Sequence, residues 1–298
     1  MKVLLCGASG FLGRHIRLAL QAQGHTVVGA GSMLNAHNQL RVDYAQDTSV
    51  AVWLQRLEGI EAVINAVGVL RDSQRNPIEA VHSSTPIALF EACSVIGQKR
   101  HQAMRVIQIS ALGIEGNATR YASTKRAADE YLLGLHASTK VKANVLRPSI
   151  VFGKGGQSSQ LFVQLSKLPV LLLPQAVLTA QVQPMVVQDL ANAVAKLLDQ
   201  QSNQALLECV GTQALSLSAF IASLRQQQKL KPALVMPLPQ FLTRLSVSIG
   251  DRFPVIPWCS ETQALLTKDN TSSCGAFAQM LGYAPLPIQH FWSQAWNH

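Results

Sequence analysis

Three side chains with complementary acid–base chemistry lie close together in the middle of the chain. Tyr121-Ala-Ser-Thr-Lys125 has the spacing Y-x-x-x-K within Arg120–Ala137, a segment predicted to be helical. Positions i and i+4 share one helix face, so the two side chains should be neighbours. A free tyrosine has a pKa of about 10, and an adjacent ammonium would make Tyr121 a usable acid or base at neutral pH. Ser110 ends the preceding predicted strand, where its hydroxyl could hold a substrate carbonyl beside Tyr121.

A second segment with recognisable chemistry lies at the start of the chain. Gly7-Ala8-Ser9-Gly10-Phe11-Leu12-Gly13 has the pattern G-x-x-G-x-x-G between an apolar run, Val3–Cys6, and a predicted helix, Phe11–Gln23. Glycines there permit a tight turn, close approach of the backbone to a pyrophosphate, and helix–strand packing, while the helix N-terminus offers N–H groups. We therefore predict a dinucleotide site that includes Gly7, Ser9, Gly10, Phe11, Leu12, Gly13 and Arg14.

The stretch after the second predicted strand bears on which dinucleotide binds. Sites for NAD usually place Asp or Glu about 20 residues after the glycines, on the ribose 2′-hydroxyl. Here Val27-Val28-Gly29-Ala30-Gly31-Ser32 contains no acid. Ser32 offers a donor and Arg14 follows the third glycine, so the sequence favours NADP(H) over NAD(H), although Arg14 could equally be a solvated helix residue. Asp43, which ends the next predicted strand, is a candidate for binding the adenine amino group or for capping a turn.

The elements that must position these residues alternate between strands and helices. This order indicates βαβ units and a parallel sheet, and the pattern loosens after Pro148. We predict an α/β fold with a Rossmann-type doubly wound parallel sheet and a smaller, discontinuous C-terminal substrate domain. The first domain would comprise residues 1–150 and about 182–202, and the second 151–181 and 203–298.

The composition narrows the class of protein. With 298 residues, of which 48% are hydrophobic, the chain can bury a sizeable core, which excludes a disordered or fibrous protein. The five cysteines have no Cys-x-x-Cys pair and the eight histidines have no paired ligand spacing, so we expect neither a disulfide scaffold nor a metal site. The apolar runs at the N-terminus and at Leu168–Leu178 are too short for a signal peptide or a membrane span. We therefore expect a cytoplasmic protein.

The net charge of +9 is unevenly distributed, because residues 97–154 hold ten basic residues against three acidic ones. No nucleic-acid-binding motif accompanies the excess, so we expect no nucleic-acid partner. One interpretation is a solvated surface. The other is a docking face for an anionic membrane or an acidic protein, with attachment to the inner face of a membrane. The predicted patch lies at the amino edge of the sheet, opposite the cofactor, and comprises Lys99, Arg100, His101, Arg105, Lys140 and Lys142.

Over about residues 1–200, these motifs resemble those of atypical or extended short-chain dehydrogenase/reductases, the NAD(P)-dependent epimerase/dehydratase-like proteins. The resemblance implies that Ser110, Tyr121 and Lys125 form a catalytic trio, with Lys125 also holding the nicotinamide ribose. It implies further cofactor contacts from Ala66, Val67 and Gly68, and from Pro148 in Arg147-Pro148-Ser149-Ile150-Val151-Phe152-Gly153.

Two stretches, residues 63–71 and 108–113, are similar to the subgroup that contains the nucleotide-binding accessory subunit of respiratory complex I. Three functions follow as alternatives. The first is an NADP(H)-dependent oxidoreductase that transfers hydride to or from an unknown carbonyl, quinone or related substrate. The second is a non-catalytic, NADPH-loaded binding or assembly protein. The third is a sugar-nucleotide epimerase or dehydratase, ranked last because residues after 150 show no clear set of ligands for a substrate diphosphate. Substrate and oligomeric state are left open.

Overall fold

The structure is a computed structural model that describes residues 1–73, 76–138, 140–199, 204–253, 258–266 and 268–297. The strands are β1 (Lys2–Cys6), β2 (Thr26–Gly31), β3 (Leu40–Arg41), β4 (Ala62–Asn65), β5 (Met104–Ile109), β6 (Val141–Pro148), β7 (Val151–Phe152), β8 (Val170–Leu173), β9 (Gln181–Val182), β10 (Met185–Val186), β11 (Leu206–Cys209), β12 (Leu215–Ser216) and β13 (Leu234–Pro237).

The helices alternate with these strands. They are α1 (Phe11–Ala22), α2 (Val50–Arg56), α3 (Thr85–Lys99), α4 (Arg120–Ala137), α5 (Gln157–Lys167), α6 (Gln175–Thr179), α7 (Val187–Asp199), α8 (Leu217–Gln227), α9 (Gln240–Arg252), α10 (Ser260–Leu265) and α11 (Gly275–Leu281). Shorter turns are the π-helical Ala80–Ser84 and Trp292–Trp296 and the 3₁₀-helical Ile288–His290.

Seven strands form one sheet in the order β11-β6-β5-β4-β1-β2-β3. The pairings β1–β2, β1–β4, β2–β3, β4–β5 and β5–β6 are parallel. Strand β1 shows why the sequence folds this way, since its residues Val3–Cys6 are fully buried, as expected for a sheet covered on both faces. The predicted α/β, Rossmann-type fold is confirmed.

The chain divides into two compact units, each discontinuous in sequence. The first contains Met1–Arg147 and Leu190–Leu207, and the second contains Pro148–Asp189 and Glu208–His298. The domain boundaries inferred from the sequence stay predictions, and the one near residue 202 lies outside the described residues.

Each unit has its own apolar core. In the first unit, Trp53, Phe90 and Leu132 are among the buried side chains around the sheet. In the second, the core is aromatic, with Phe152 stacked on Phe291 at 5.5 Å between ring centroids. The strands of the second unit form two-stranded pairs, β10–β7, β12–β9 and β13–β8.

Helix α4, which carries Tyr121 and Lys125, begins at a side-chain cap. The Thr119 Oγ1 accepts the backbone N–H of Ala122 at 3.2 Å, which satisfies a donor that the first helical turn cannot pair internally. The third strand is shorter than predicted, with two residues instead of five, and the helix expected at Pro77–Ile96 begins with a π-helical turn. Among the described residues, no helix is both long and apolar enough to cross a membrane.

Candidate active site

The glycine segment between β1 and α1 forms a tight turn. Gly7 has φ +80°, a conformation that residues with a Cβ rarely adopt, and its N–H donates to Ala30 O at 2.9 Å. A Cβ on Gly13 would lie 2.0 Å from Gly7 O, so no side chain fits where α1 crosses the turn. Gly10 caps α1, whose first turn contains no acidic residue. The predicted loop residues are therefore gathered at a helix N-terminus, where a phosphate is favourably bound.

The loop that follows β2 is tied to the glycine turn by Asn38, a residue that the motif analysis did not identify. The buried Asn38 Nδ2 donates to Ser9 Oγ at 3.1 Å and to Met33 O at 2.9 Å. A Cβ on Gly31 would lie 2.2 Å from Asn38 Nδ2. The strand end where NAD sites carry an acid is thus already filled by a neutral amide. Ser32, predicted as a donor, is exposed next to it.

Two arginines of α1 contact the same region. The Arg14 Nη1 donates to Ser9 O at 2.6 Å, so the predicted Arg14 lies against the glycine turn. Arg17, which the sequence pattern did not identify, donates to His37 O at 2.8 Å in the loop after β2. Asp43 is exposed and its Oδ1 accepts the N–H of Ala45 at 3.0 Å, which is the turn-capping arrangement; its contact with adenine stays a prediction.

The turn after β4 is positioned by buried amides. Asn65 Nδ2 donates to Gln108 Oε1 on the neighbouring strand at 2.8 Å, and Asn65 Oδ1 accepts the N–H of Val67 at 3.3 Å. Across this turn, Lys125 Nζ lies 3.4 Å from Val67 O, and a Cβ on Gly68 would be 3.3 Å from the same nitrogen. The fold therefore brings the predicted segment Ala66–Gly68 against the lysine of the Y-x-x-x-K motif.

Lys125 is a buried cation. Its Nζ donates to Ile109 O at 3.0 Å, at the carboxyl end of β5, and only 4% of the residue is exposed. Burial lowers the pKa of Lys125 to about 8, partly opposed by the charge of Asp129. Tyr121 lies one helical turn before it and is half-buried. The ammonium is therefore still protonated at neutral pH and loses its charge as the pH rises through about 8.

His82, set aside in the motif analysis, packs against the predicted acid–base residue. Its ring lies edge-on to Tyr121 at 5.2 Å between centroids. The Nε2 accepts the N–H of Val69 at 2.9 Å, so the ring proton belongs on Nδ1, which donates to Thr124 Oγ1 at 3.2 Å. Burial, and then the charge of Lys125, lower the pKa of His82 to about 2. The imidazole is therefore neutral and connects the turn after β4 to helix α4.

Ser110 follows β5 directly, but its hydroxyl is engaged inside the protein. The Ser110 Oγ donates to Asp129 Oδ2 at 2.7 Å, and Arg147 Nε donates to the same oxygen at 3.0 Å. Arg147 Nη1 also donates to Glu115 Oε1 at 2.6 Å. Asp129 is completely buried one turn after Lys125; burial raises the pKa of its carboxyl, opposed by Ser110 and Arg147. The Ser110 proton is thus directed at a carboxylate, and a contact with substrate stays a prediction.

Pro148 ends β6 and is the first residue of the second unit, so its predicted cofactor contact is not tested. Among the described residues, no group of three or more His, Cys, Asp or Glu side chains is placed to hold a metal ion.

Comparison with known proteins identifies the family. The model of the NAD dependent epimerase/dehydratase family matches residues 3–207. The chain belongs to this family. The predicted resemblance is therefore confirmed at the family level, as an NAD(P)-binding Rossmann protein; the narrower complex I subgroup is not shown.

Curated relatives of the family match part of the chain. A ceramide reductase of Caulobacter vibrioides is 29% identical over 66% of this chain and 59% of its own length. A UDP-2-acetamido-2,6-beta-L-arabino-hexul-4-ose reductase of Pseudomonas aeruginosa is 27% identical over 52% of this chain and 37% of its own. The chain thus spans less than two thirds of either relative.

Solved structures of the family share the fold. The crystal structure of UDP-glucuronic acid 4-epimerase from Bacillus cereus, in complex with UDP-glucuronic acid and NAD, superposes with a TM-score of 0.70. The match covers 97% of this chain and 96% of that one at 17% identity. At this identity the likeness establishes the fold alone.

The residues present fit a dinucleotide. The glycine turn has no space for a Cβ at Gly13 and faces the start of α1, as a pyrophosphate requires. The buried Asn38 Oδ1 has no hydrogen-bond partner within the described structure, which leaves an acceptor beside the turn. Lys125 borders the turn after β4, where the family places ribose and nicotinamide.

Proposed function

We propose that the chain is an NADP(H)-dependent oxidoreductase that interconverts a ketone or related carbonyl with its alcohol. The observation that carries the proposal is the position of Lys125. Its ammonium lies against Val67 O and the open side of Gly68, on the helix face that also presents Tyr121. One cation is thus shared between the predicted cofactor turn and the predicted acid–base residue.

Tyr121 would move the proton at the carbonyl oxygen, because Lys125 favours its ionised form and His82 packs against its ring. A bound nicotinamide would supply or accept the hydride. Ser110 donates to Asp129, so we assign Ser110 to supporting the buried carboxylate that faces Lys125. The hydrogen bond to the carbonyl oxygen then comes from Tyr121.

The charge around the glycine turn supports NADP(H). Residues 1–42 contain no Asp or Glu, whereas Arg14 and Arg17 lie on the α1 surface next to the loop after β2. Gly31 has no room for the acid of an NAD site, because Asn38 fills that space. A 2′-phosphate would meet guanidinium groups, which bind phosphate in a bidentate manner, and no opposing carboxylate from this stretch.

The relatives support carbonyl chemistry and leave the substrate open. Both curated relatives described above are named as reductases, one of a sugar nucleotide and the other of a ceramide. Their substrates have little in common beyond a reducible carbonyl group, so the proposal is limited to that group.

The test is turnover of NADPH and NADH by the purified chain across a panel of ketones, quinones and sugar nucleotides. We expect NADPH oxidation with at least one compound, and a loss of about 10²–10⁴-fold in Tyr121→Phe with NADPH binding kept. Tyr131→Phe is the matched control, since Tyr131 lies on the same helix and donates to Glu91. Undiminished turnover in Tyr121→Phe would contradict the proposal. Interconversion of a sugar nucleotide without net cofactor oxidation would assign an epimerase instead.

A non-catalytic, NADPH-loaded binding or assembly protein, as in the complex I accessory-subunit subgroup, is the second candidate. It is favoured by one observation, that the Ser110 hydroxyl is directed at Asp129 and away from a carbonyl-orienting role. NADPH that co-purifies with the chain, and that no compound of the panel oxidises, would establish this alternative.

A further inference from the structure

Exposed apolar side chains are concentrated in one part of the second unit. Most of the large hydrophobic residues that are exposed within the described structure fall in residues 168–172 and 230–253. These two segments contain β8, β13 and α9. Scattered exposed hydrophobics are ordinary, but a concentration of them marks a surface that binds something.

The β8–β13 pair exposes one apolar face. In its parallel register, Val170 pairs with Leu234 and Leu172 with Met236, and all four are exposed. The alternate residue Leu171 is buried in the core. Side chains at paired positions point to the same side of a sheet, so these four form one outward face.

Helix α9 follows two residues after β13 and exposes an apolar stripe of its own. Its buried positions are Thr243, Val247 and Gly250. The opposite side carries residues spaced at i, i+4 and i+8 that are 70%, 55% and 44% exposed, namely Phe241, Leu245 and Ile249. A helix of a water-exposed surface normally turns such a stripe towards the core, so α9 is oriented to bind an apolar phase or partner.

The charges beside this surface are almost all positive. Residues 164–174 and 229–253 contain one acid, Asp251, whose Oδ1 accepts the N–H of Ser260 at 2.9 Å. The same segments carry five exposed basic residues, Lys167, Lys229, Lys231, Arg244 and Arg252.

We propose that the β8–β13 face and the α9 stripe form a membrane-docking surface that binds an anionic lipid bilayer. Aromatic and aliphatic side chains beside cations are what an interfacial helix uses to enter the headgroup region and pair with anionic lipids. A protein partner would need matching acids, and a second copy of this chain would bring like charge to like charge. The charge favours lipid.

This surface differs from the basic patch predicted on the first unit. There, β5 and β6 are neighbours, as that prediction required, and Arg105 pairs in register with Lys142. Arg100 donates to Ile60 O and Arg105 to Leu197 O, so two of its guanidinium groups are engaged by carbonyls. Its role in docking stays a prediction.

The experiment is co-sedimentation of the full chain with vesicles of phosphatidylcholine alone and of phosphatidylcholine mixed with phosphatidylglycerol. We expect binding to the mixed vesicles that weakens as salt shortens the screening length from about 10 Å at 0.1 M to about 3 Å at 1 M. The double variant F241Q/L245Q should bind at least about tenfold more weakly, because two apolar side chains no longer enter the bilayer.

Leu18→Gln is the matched control, since Leu18 is an equally exposed apolar residue on α1 of the first unit, and it should bind as wild type. The thermal shift with NADPH, kept in every variant, shows that each is folded. Three outcomes would overturn the proposal: no binding to mixed vesicles at low salt, equal binding by F241Q/L245Q, or a concentration-dependent dimer that F241Q/L245Q abolishes without any vesicle binding.

Discussion

The Ser110 hydroxyl and the Asp129 carboxylate form a direct hydrogen bond of 2.7 Å inside the first unit. Arg147 Nε donates to the same carboxylate oxygen, so a strand end, a helix and the following strand meet at one buried acid. A buried charge is stable only when its partners are in place. We infer that Ser110 stabilises the helix α4 that carries Tyr121 and Lys125.

Ser110→Ala is therefore expected to lower the free energy of unfolding by about 1–3 kcal/mol, the cost of leaving a buried acceptor short of a donor. Urea unfolding measures this change. Ser123→Ala, an exposed serine on α4 whose hydroxyl donates to Arg120 O, should change it by less than about 0.5 kcal/mol. Unchanged stability with lost turnover in Ser110→Ala would instead show that this hydroxyl serves the substrate.

His82 should make the protein sensitive to acid. Its pKa is lowered from 6.5 to about 2 by burial and by Lys125, so between these values the unfolded chain binds a proton that the folded one does not. The stabilising contribution is therefore present above pH 6.5 and is lost as the pH falls, by about 1.4 kcal/mol per pH unit. Urea unfolding in mildly acidic buffers should show a shallower pH dependence for His82→Asn, by one proton.

The control for His82 is His290→Gln, because that ring is exposed in the second unit. It should leave the slope of stability against pH as in wild type. If His82→Asn lowers stability equally at every pH, the ring contributes hydrogen bonds but does not titrate in this window.

Two glycines in helices should respond in opposite ways to alanine. In Gly13→Ala the new Cβ would lie 2.0 Å from Gly7 O, so we expect a loss of about 1–3 kcal/mol and no thermal shift with NADPH. In Gly134→Ala, no atom lies within 4 Å of the new Cβ, so the helix should gain about 0.5–1 kcal/mol. Thermal unfolding with and without NADPH compares the two. A normal cofactor shift in Gly13→Ala would place the dinucleotide elsewhere.

Arg14 should distinguish the two cofactors. Loss of a charge-assisted hydrogen bond to a 2′-phosphate in Arg14→Gln should weaken NADPH binding by about ten- to a hundredfold and leave NADH binding unchanged. Cofactor fluorescence titration measures both. Arg105→Gln, whose guanidinium donates to Leu197 O, is the control. An equal loss for NADH would mean that Arg14 acts by holding Ser9 O in the glycine turn.

The sequence by itself determined the fold class and the two motifs. Glycine spacing after a buried strand, and Y-x-x-x-K on a helix, are local patterns whose geometry depends on residues a few positions apart. That is why Gly7, Gly13, Tyr121 and Lys125 could be named before the fold was known, and why the parallel sheet followed from alternating elements.

Only the tertiary structure decided the partners of those residues. Asn38, His82 and Asp129 belong to no local motif; they matter because strands from distant parts of the chain end at one edge of the sheet. Ser110 shows the limit most clearly, since its position after β5 was predictable but the direction of its hydroxyl depends on a carboxylate 19 residues later. The outward stripe of α9 is likewise a tertiary property, because helical spacing alone does not say which face the core covers.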